Sequence, residues 1–420
     1  MAKNSLIKNG YVTALDIGSG KICCMIAKVS EDNMHIVGMG CAQAQGIKNG
    51  VIVNLNQAAG SIQDAIIDAE SKAKKRVESV IVNVSSPQME SIYVSAEISI
   101  PDTRVIIPSD VRKVIDAALA KVDLKEKEII HQIPTAYTLD GQSDITDEPS
   151  GLSGKTLGVT LHLITVPLTQ IRNLSMALER CHVWIAAKVA TPYASALSVL
   201  TQSEKDNGTT LVDIGSGITS IAIFSNGFIR YAGILPLGGN YITKDISYVL
   251  KTPVKDAERA KTLNGCAFVS PSDEKASVTL PLIGEEDEAA TTTVSRATLI
   301  SIMVARIEQI FDFLKTYLMA QEMEEDFATR RVVLCGGVSL TAGLREKSAA
   351  LLDAQVRCGK PIYIKGLSDI LPMTTMSTAI GLLLYALNHR IQKEDKKIKN
   401  QTNNKNNWIK KVLKWTIQNF

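Results

Sequence analysis

The sequence lacks the segments that would place a protein across a membrane. It has no run of about 18 uninterrupted apolar residues, which a spanning helix needs. Its start, MAKNSLIKNGYVTALD, lacks the apolar core of a secretory signal peptide. Since 45% hydrophobic and 21% charged residues are ordinary globular values, we expect a cytoplasmic protein whose 420 residues form two or three domains.

The seven cysteines form no metal or disulfide pattern. There is no C-x-x-C pair and no His-rich cluster, Cys23 and Cys24 are adjacent, and Cys335 lies in an apolar run before two glycines. We predict reduced thiols in the protein core.

Two standard nucleotide-binding motifs are also missing. The P-loop pattern would need glycine at Leu15 and serine or threonine at Ile22. The dinucleotide fingerprint G-x-G-x-x-G would need glycine at Cys23 and again at Ser220. The two Gly-rich segments of this chain therefore belong to neither class.

The net charge of +3 is distributed unevenly. Residues 388–420 contain nine Lys and Arg but only two acidic side chains, so the rest of the chain is net acidic. A short basic tail on an acidic body suggests attachment to an anionic partner, a membrane or nucleic acid, more than a nucleic-acid-binding fold.

The pentapeptide Asp-Ile-Gly-Ser-Gly occurs twice, beginning at Asp16 and at Asp213, each time between apolar strand candidates. Each copy has the pattern of a tight hairpin whose glycines can take positive φ, and plain hairpin turns are the simplest interpretation. Strands alternate with helical segments after each copy, which predicts α/β architecture. A leading Asp suits hydrated Mg²⁺, and backbone N–H groups with small glycines suit phosphates, so two facing hairpins predict a nucleotide triphosphate site.

Residues 85–165 follow another pattern. IYVSAEISI and TLGVTLHLITVP alternate apolar and polar residues, as strands do, and PSDVRKVIDAALAKV reads as a helix. This segment predicts a small α+β domain inserted into the first half. His131 and His162 lie on its strand candidates, where we expect exposed or hydrogen-bonded sheet histidines.

The repeated hairpins resemble the phosphate loops of the actin, Hsp70 and sugar-kinase superfamily. VVLCGGVSLTAGL resembles its adenosine motif, and AAKVATPYASALSVL and TTMSTAIGLLLYAL resemble its two connecting helices. With the insertion, the polar segment after Leu387 and an amphipathic end, the whole chain resembles the FtsA family of bacterial cell division proteins. The resemblance implies a two-lobed actin-like (ribonuclease H-like) ATPase fold of the α/β class, with a small α+β subdomain inserted in the first lobe.

The domain boundaries implied by this resemblance are 9–84, 165–203 and 376–390 for the first-lobe core (1A), 85–164 for the inserted subdomain (1C), 204–243 and 297–375 for the second-lobe core (2A), 244–296 for the outer subdomain (2B), 391–407 for a disordered linker and 408–420 for a membrane-targeting helix.

The resemblance also implies the site residues for ATP and Mg²⁺. Mg²⁺ would be held through water by Asp16 and Asp213. The residues implied near the phosphates are Gly18, Ser19, Gly20, Lys21, Gly215, Ser216, Gly217, Gly238 and Gly239. Those implied near the adenosine are Glu258, Lys261, Gly336 and Gly337. The Glu258 and Lys261 pair also fits a solvated helix face, and Gly238 and Gly239 also fit a simple loop.

One departure from the superfamily bears on hydrolysis. Actin-like and Hsp70-like relatives present Gln or Glu on the first connecting helix to position the attacking water, where this chain has Ala190, Thr191 and Pro192. Phosphoryl transfer depends on positioning and electrostatics, and threonine is not a carboxylate base. We expect ATP binding with at most slow hydrolysis, and no catalytic residue is assigned.

The last thirteen residues, WIKKVLKWTIQNF, predict an amphipathic helix that lies on a membrane surface. At about 100° per residue the apolar side chains share one broad face and the lysines collect on the other. The apolar face contains Trp408, Ile409, Val412, Leu413, Trp415, Ile417 and Phe420. The basic face contains Lys410, Lys411 and Lys414.

The function implied by the resemblance is that of an adaptor at the division septum, peripheral on the cytoplasmic side of the bacterial membrane. Its implied partners are the C-terminal tail of tubulin-like FtsZ, bound through 2B, anionic lipid, further copies of itself in actin-like filaments, and later divisome proteins that contact 1C. No nucleic acid is expected. Two alternatives remain open at this stage: a PilM-type pilus-assembly adaptor, and an ATP-dependent enzyme such as a sugar or acetate kinase.

Overall fold

The computed structural model describes residues 6–30, 33–145, 149–283, 290–320, 331–367 and 372–389. The strands are β1 Tyr11–Ile17, β2 Lys21–Val29, β3 Met34–Gln43, β4 Ile47–Lys48, β5 Val51–Ile52, β6 Ser79–Val84, β7 Glu90–Ser99, β8 Lys127–Leu139, β9 Gln142–Ile145, β10 Thr156–Pro167, β11 Trp184–Ala190, β12 Thr209–Ile214, β13 Thr219–Ser225, β14 Phe228–Leu235, β15 Ser277–Pro281, β16 Thr291–Ser295, β17 Arg331–Cys335 and β18 Gln355–Cys358. The helices are α1 Leu55–Ala73, α2 Pro108–Leu119, α3 Leu168–Arg180, α4 Thr191–Val199, α5 Gln202–Asn207, α6 Gly239–Leu250, α7 Val254–Asn264, α8 Arg296–Ala320, α9 Leu344–Leu352 and α10 over residues 377–389. Short 3-10 helices occupy Pro101–Thr103, Gly337–Leu340 and Met373–Met376.

The first lobe is built on a five-stranded sheet in the order β11-β6-β1-β2-β3. β1, β2 and β3 are antiparallel neighbours, whereas β6 and β11 are parallel. The helix α1 begins where the Asn54 side chain accepts hydrogen bonds from two backbone N–H groups, and its apolar stripe includes Ile62, Ala65 and Ala69. This stripe packs on one face of the sheet, and α10 covers the other with Ile380 and Leu383.

The second lobe repeats this plan. Its sheet has the order β14-β13-β12-β17-β18, with three antiparallel strands followed by two parallel ones. The helices α6, α7, α8 and α9 contribute to its core. In both lobes the Asp-Ile-Gly-Ser-Gly segment therefore connects the first two strands, as the sequence predicted.

The inserted segment forms an antiparallel sheet in the order β7-β10-β8-β9, and α2 packs on it. The alternating apolar residues of β7 lie on the core face, as predicted. β7 also contacts β14 of the second lobe, where the Tyr93 hydroxyl donates a hydrogen bond to the Arg230 carbonyl at 2.6 Å. The inserted sheet thus reaches the edge strand of the second lobe as well as the first lobe.

The two sheet histidines are buried and hydrogen-bonded, so of the two expected states the structure shows the second. His131 Nε2 accepts a hydrogen bond from the Ala190 N–H at 2.9 Å, at the start of α4. His162 Nδ1 lies 2.9 Å from the Ile229 carbonyl of β14, and its Nε2 has no hydrogen-bond partner within the described residues. Each histidine therefore joins the insert to a neighbouring lobe.

The two connecting helices cross beneath the cleft between the lobes. A Cβ on Gly381 of α10 would lie 1.8 Å from the Ala194 carbonyl of α4, so only glycine permits this backbone contact. The Ser198 hydroxyl also donates a hydrogen bond to the Ser377 carbonyl at 2.7 Å. The crossing places the N-terminal ends of both helices beside the cleft.

The prediction of core thiols holds for only part of the set. Cys23, Cys24 and Cys335 are buried, three others are partly exposed, and Cys358 is exposed; none of the seven forms a disulfide. Burial depends on the face a strand presents and not on the residue type alone.

No helix in the described residues is both long enough and apolar enough to span a bilayer. The predicted linker at 391–407 and amphipathic helix at 408–420 lie outside the described residues. The predicted subdomain boundaries remain predictions.

Candidate nucleotide site

The two Asp-Ile-Gly-Ser-Gly loops meet tip to tip between the lobes. A Cβ on Gly20 would lie 2.6 Å from Ser216 Oγ, and a Cβ on Gly217 would lie 2.6 Å from Ser19 Cβ. The expectation of positive φ was wrong, because none of the loop glycines has a left-handed backbone. These two glycines instead make room for the serine of the opposite loop, so a side chain at either position would push the loops apart.

A cavity of about 380 Å³ lies behind these tips, within the size range of small-ligand sites. It brings together most of the residues predicted for the phosphates, the metal and the adenosine. The predicted residues that line it are Asp16, Gly18, Ser19, Gly20, Lys21, Asp213, Gly215, Ser216, Gly217, Glu258, Gly336 and Gly337. Gly238, Gly239 and Lys261 do not line it and lie behind its wall.

Asp16 and Asp213 give the cavity an acidic centre, one carboxylate from each lobe. The pKa of Asp16 is raised to about 7, chiefly by burial; Lys21 opposes this shift and the charge of Asp213 adds to it. Burial also raises the pKa of Asp213. The Ser195 hydroxyl opposes this shift by donating a hydrogen bond to Asp213 Oδ2 at 2.6 Å. Two buried carboxylates that resist ionisation are suited to a hard divalent cation, which stabilises their charged forms.

The turn at Gly238 and Gly239 supports the second phosphate loop from behind. The N–H of Gly239 donates to the Gly215 carbonyl at 2.9 Å, and the N–H of Asn240 donates to the Ser216 carbonyl at 2.7 Å. A Cβ on Gly238 would lie 2.7 Å from the Gly215 carbonyl oxygen. The turn therefore fixes the loop backbone without reaching the cavity.

Of the two glycines predicted to lie near the adenosine, Gly336 is the one that a larger residue could not replace without strain. Its φ is +84°, and a Cβ there would lie 2.4 Å from Asp213 Oδ1. Gly337 differs, since the nearest atom to its Cβ position is Thr375 Cγ2 at 3.9 Å. Gly336 thus shapes the wall next to the acidic centre, whereas Gly337 leaves open space.

Glu258 and Lys261 do not form a freely solvated pair. Lys261 Nζ donates to Glu258 at 2.6 Å and to the Thr243 hydroxyl at 2.9 Å, and it lies 3.3 Å from the Gly239 carbonyl. The Lys261 side chain is 14% exposed and that of Glu258 is 50% exposed. Lys261 therefore holds Glu258 at the cavity wall and connects it to the turn behind the phosphate loop.

Sequence reasoning missed a polar wall on the first-lobe side. Asn83 Oδ1 accepts from the Ile17 N–H at 2.7 Å, which fixes the end of β1 just before the first loop. Ser85 Oγ and Thr191 Oγ1 are 2.7 Å apart, and all three side chains line the cavity. The segment VNVSS, with polar residues at the end of a buried strand, was the available signal.

A second missed set lies at the N-terminal end of α10, within the segment TTMSTA. Lys21 Nζ donates to the Thr375 hydroxyl at 2.8 Å, and Thr378 Oγ1 lies 3.0 Å from Ser195 Oγ. Thr375 and Thr378 both line the cavity. These hydroxyls connect the first phosphate loop and the acidic centre to the connecting helices.

Comparisons with known proteins agree with this architecture. The family model described as Cell division protein FtsA matches residues 210–381, and the model described as SHS2 domain inserted in FTSA matches residues 87–165. The cell division protein FtsA of Agrobacterium fabrum is 35% identical over 389 residues, which cover 90% of this chain and 87% of that protein.

Two solved structures share the fold at low sequence identity. The PilM-PilN type IV pilus biogenesis complex gives a TM-score of 0.61 at 13% identity, covering 89% of this chain and 98% of that one. MreB5 of Spiroplasma citri bound to ADP gives a TM-score of 0.56 at 12% identity, covering 92% of this chain and 99% of that one. The predicted two-lobed actin-like fold with an inserted α+β subdomain is confirmed.

Proposed function

The chain belongs to the FtsA family of cell division proteins, and from this premise we propose that it is an ATP-binding adaptor that attaches the FtsZ ring to the cytoplasmic membrane. The observation that carries the proposal is family membership across nine-tenths of the chain, together with a cavity built from both repeated loops. Each part of the proposal has its own test.

The ligand proposed for the cavity is ATP with Mg²⁺. Asp16 and Asp213 would hold the hydrated metal, and the loop residues Ser19, Lys21 and Ser216 would surround the phosphates. Bound Mg²⁺ would neutralise phosphate charge. Two carboxylates of raised pKa, a lysine and the small glycine and serine residues of both loops line the cavity, and this set of residues fits the ligand. Isothermal titration with ATP should give saturable binding that weakens when Mg²⁺ is chelated.

Hydrolysis is proposed to be slow. Thr191 lies where the superfamily presents Gln or Glu, and its hydroxyl is engaged with Ser85 in the cavity wall. A hydroxyl pair positions water but does not accept its proton as a carboxylate does. Phosphate release should stay well below about 1 s⁻¹, itself slow beside typical turnover numbers. A faster Mg²⁺-dependent rate would contradict this assignment.

The membrane anchor is proposed to be the amphipathic end, residues 408–420. Each large apolar side chain that enters the bilayer contributes up to about 1.5–3 kcal/mol, and each nearby lysine about 1 kcal/mol on an anionic surface. Trp415→Glu should abolish flotation with anionic vesicles and leave ATP affinity unchanged. Gln418→Glu, which adds the same charge away from the apolar face, is the matched control. Flotation of Trp415→Glu would show that the anchor lies elsewhere.

The FtsZ tail is proposed to bind the outer subdomain, residues 244–296. A fluorescently labelled peptide with the FtsZ C-terminal sequence should show saturable micromolar anisotropy changes when titrated with the full chain and Mg-ATP. Failure to bind the peptide while ATP still binds would move the function toward a pilus-type adaptor. The likeness to PilM itself shows only the fold, since the identity is 13%.

Self-association is proposed to use the far end of the outer subdomain. α6 starts at the phosphate loop and runs 12 residues, which carries its end about 18 Å away. Tyr248, Val254 and Ile283 are all more than half exposed there, around a cavity of about 610 Å³ that Lys244 and Lys251 also line. Such an exposed apolar patch marks an interaction surface.

Tyr248→Glu tests this surface. It should suppress ATP-dependent co-sedimentation with vesicles and leave ATP affinity unchanged, because Tyr248 is remote from the nucleotide cavity. Loss of peptide binding instead would assign the surface to FtsZ. Tyr363→Glu, another exposed tyrosine, is the control.

If the protein were an ATP-dependent enzyme, these experiments would give different results. A sugar or acetate kinase would consume ATP steadily when its substrate is added, and it would not need vesicles or the FtsZ peptide. Substrate-stimulated turnover would therefore overturn the adaptor proposal, whereas ATP binding alone would not distinguish the two.

A further inference from the structure

Three sulfur atoms lie together beside the first phosphate loop. Cys23 Sγ is 3.2 Å from Cys41 Sγ and 3.9 Å from Met376 Sδ. Cys23 on β2 is directly opposite Cys41 on β3 in the antiparallel register. Directly opposite residues have Cα atoms about 4.5–5.5 Å apart, within the range of about 4.4–6.8 Å that a disulfide spans. The pair is therefore in place for a cross-strand disulfide.

The neighbouring Cys24 does not share this arrangement. Side chains alternate along a strand, so Cys24 belongs to the core cluster on the opposite face of the sheet from Cys23. Its thiol is buried and forms no disulfide. Cys24 is thus an internal comparison of the same residue type, one position along.

The two members of the pair differ in access. Cys23 is fully buried, whereas Cys41 is partly exposed on β3, the edge strand of the first-lobe sheet. The Cys23 thiol, and the positive charge of Lys21, lower the pKa of Cys41 against the effect of its burial. Cys41 is the member that solution oxidants reach, and its thiolate is the nucleophile that reacts with them first.

The pair is connected to the wall of the nucleotide cavity through Met376. Lys21 lies two residues before Cys23 on β2, and its Nζ contacts Met376 Sδ at 3.6 Å and the Thr375 hydroxyl at 2.8 Å. Met376 therefore lies between the pair and the phosphate-loop lysine. A disulfide requires the sulfur atoms to close from 3.2 Å to about 2.05 Å, which draws Cys23 toward Cys41 and loosens its contact with Met376.

We propose that Cys23 and Cys41 form a reversible oxidation site that weakens nucleotide binding. A peroxide transfers one oxygen to the Cys41 thiolate, giving the sulfenic acid and releasing an alcohol, or water from hydrogen peroxide. The Cys23 thiol then attacks that sulfur, the S–O bond breaks, and water leaves as the disulfide forms. Overall, two thiols lose two electrons and two protons to the peroxide, and a dithiol reductant reverses the reaction.

The disulfide is tested on the full chain without nucleotide. The protein is treated with hydrogen peroxide, free thiols are alkylated, and the unreduced digest is analysed by mass spectrometry. We expect one cross-linked peptide pair joining the segments of Cys23 and Cys41, reversed by dithiothreitol. Cys41→Ser, at the partly exposed position, should abolish it, and Cys24→Ser should leave it intact.

Several results would overturn the site. The first two are a cross-link that persists in Cys41→Ser and a cross-link that requires Cys24. The third is an equal yield of the cross-linked peptide from the urea-unfolded chain. The fourth is oxidation of Cys41 to the sulfinic acid while Cys23 can still be alkylated.

The effect on nucleotide rests on the proposed ATP function and is measured separately. The oxidised chain should bind Mg-ATP at least about threefold more weakly than the reduced chain, with recovery after dithiothreitol. By linkage, bound ATP should then disfavour the disulfide by the same factor at a fixed redox potential. Equal affinities would refute the coupling, and loss of ATP binding in both forms would refute the proposed function while the cross-link still decides the site.

Discussion

The hydrogen bond from Ser195 to Asp213 provides a direct test of the acidic centre. Ser195 lies on α4, is fully buried, and donates to Asp213 Oδ2 at 2.6 Å. It is the side-chain contact that most favours the ionised form of Asp213, against a burial effect that raises the pKa. Ser195→Ala removes this donor and creates only a small space.

The magnitude follows from the type of bond. Hydrogen bonds to a charged group contribute about 1.5–3 kcal/mol, and a factor of ten in affinity corresponds to about 1.4 kcal/mol. Only part of this hydrogen-bond energy contributes to the affinity for Mg-ATP, because the bond to Asp213 is present both before and after the metal binds. We therefore expect the Kd for Mg-ATP to rise about tenfold, with a smaller change for ATP in the presence of a chelator.

The assay is isothermal titration of each variant with Mg-ATP and with metal-free ATP. Ser198→Ala is the matched control, since Ser198 is equally buried on the same helix but donates to the Ser195 and Ser377 carbonyls. An unchanged Kd for Ser195→Ala, or an equal loss in Ser198→Ala, would refute the argument that this bond prepares Asp213 for the metal.

Three further predictions rest on other contacts. Gly336→Ala should lower the free energy of unfolding by at least about 1–2 kcal/mol, because alanine is strained in a left-handed backbone and its Cβ would clash with Asp213. Gly337→Ala should change the free energy of unfolding by under about 0.5 kcal/mol. Urea titration of both variants measures the difference. Burial lowers the pKa of His162 to about 4, so its share of stability is present above the unfolded pKa of about 6.5 and is lost as pH falls toward 4. His162→Gln should therefore reduce the loss of unfolding free energy between pH 7 and pH 5 by about 2 kcal/mol, and a variant with the wild-type pH dependence would contradict this. Tyr93→Phe removes the hydrogen bond to β14 and should lower the urea midpoint slightly while raising hydrogen exchange at the Arg230 segment; unchanged exchange would argue against the insert holding that edge.

Much of the fold followed from local patterns. Period-two alternation located β7 and β10, helical periodicity located α1 and α8, and the repeated pentapeptide located both phosphate loops. These signals are local because strand and helix geometry repeat over two and 3.6 residues. The resemblance then supplied the order of the parts and most of the residues that line the cavity.

Contacts between distant segments explain the misses. The pattern suggested loop glycines that can take positive φ, but two of them, Gly20 and Gly217, instead make room for Ser216 and Ser19 of the opposite loop. Asn83 and Ser195 escaped notice because a buried polar residue acquires its function from its partner, here Ile17 and Asp213. No spacing in the sequence records such pairs.

The sequence by itself determined that two similar hairpins begin two α/β halves, and that an α+β segment interrupts the first, because apolar periodicity and turn residues act over short distances. Tertiary structure alone decided that Cys23 is buried beside Cys41 and that His162 forms a hydrogen bond with the Ile229 carbonyl. It also decided that α4 and α10 cross at Gly381 beneath the cavity. Those outcomes depend on how whole sheets and helices pack, where a shift of a few ångströms makes or removes a contact.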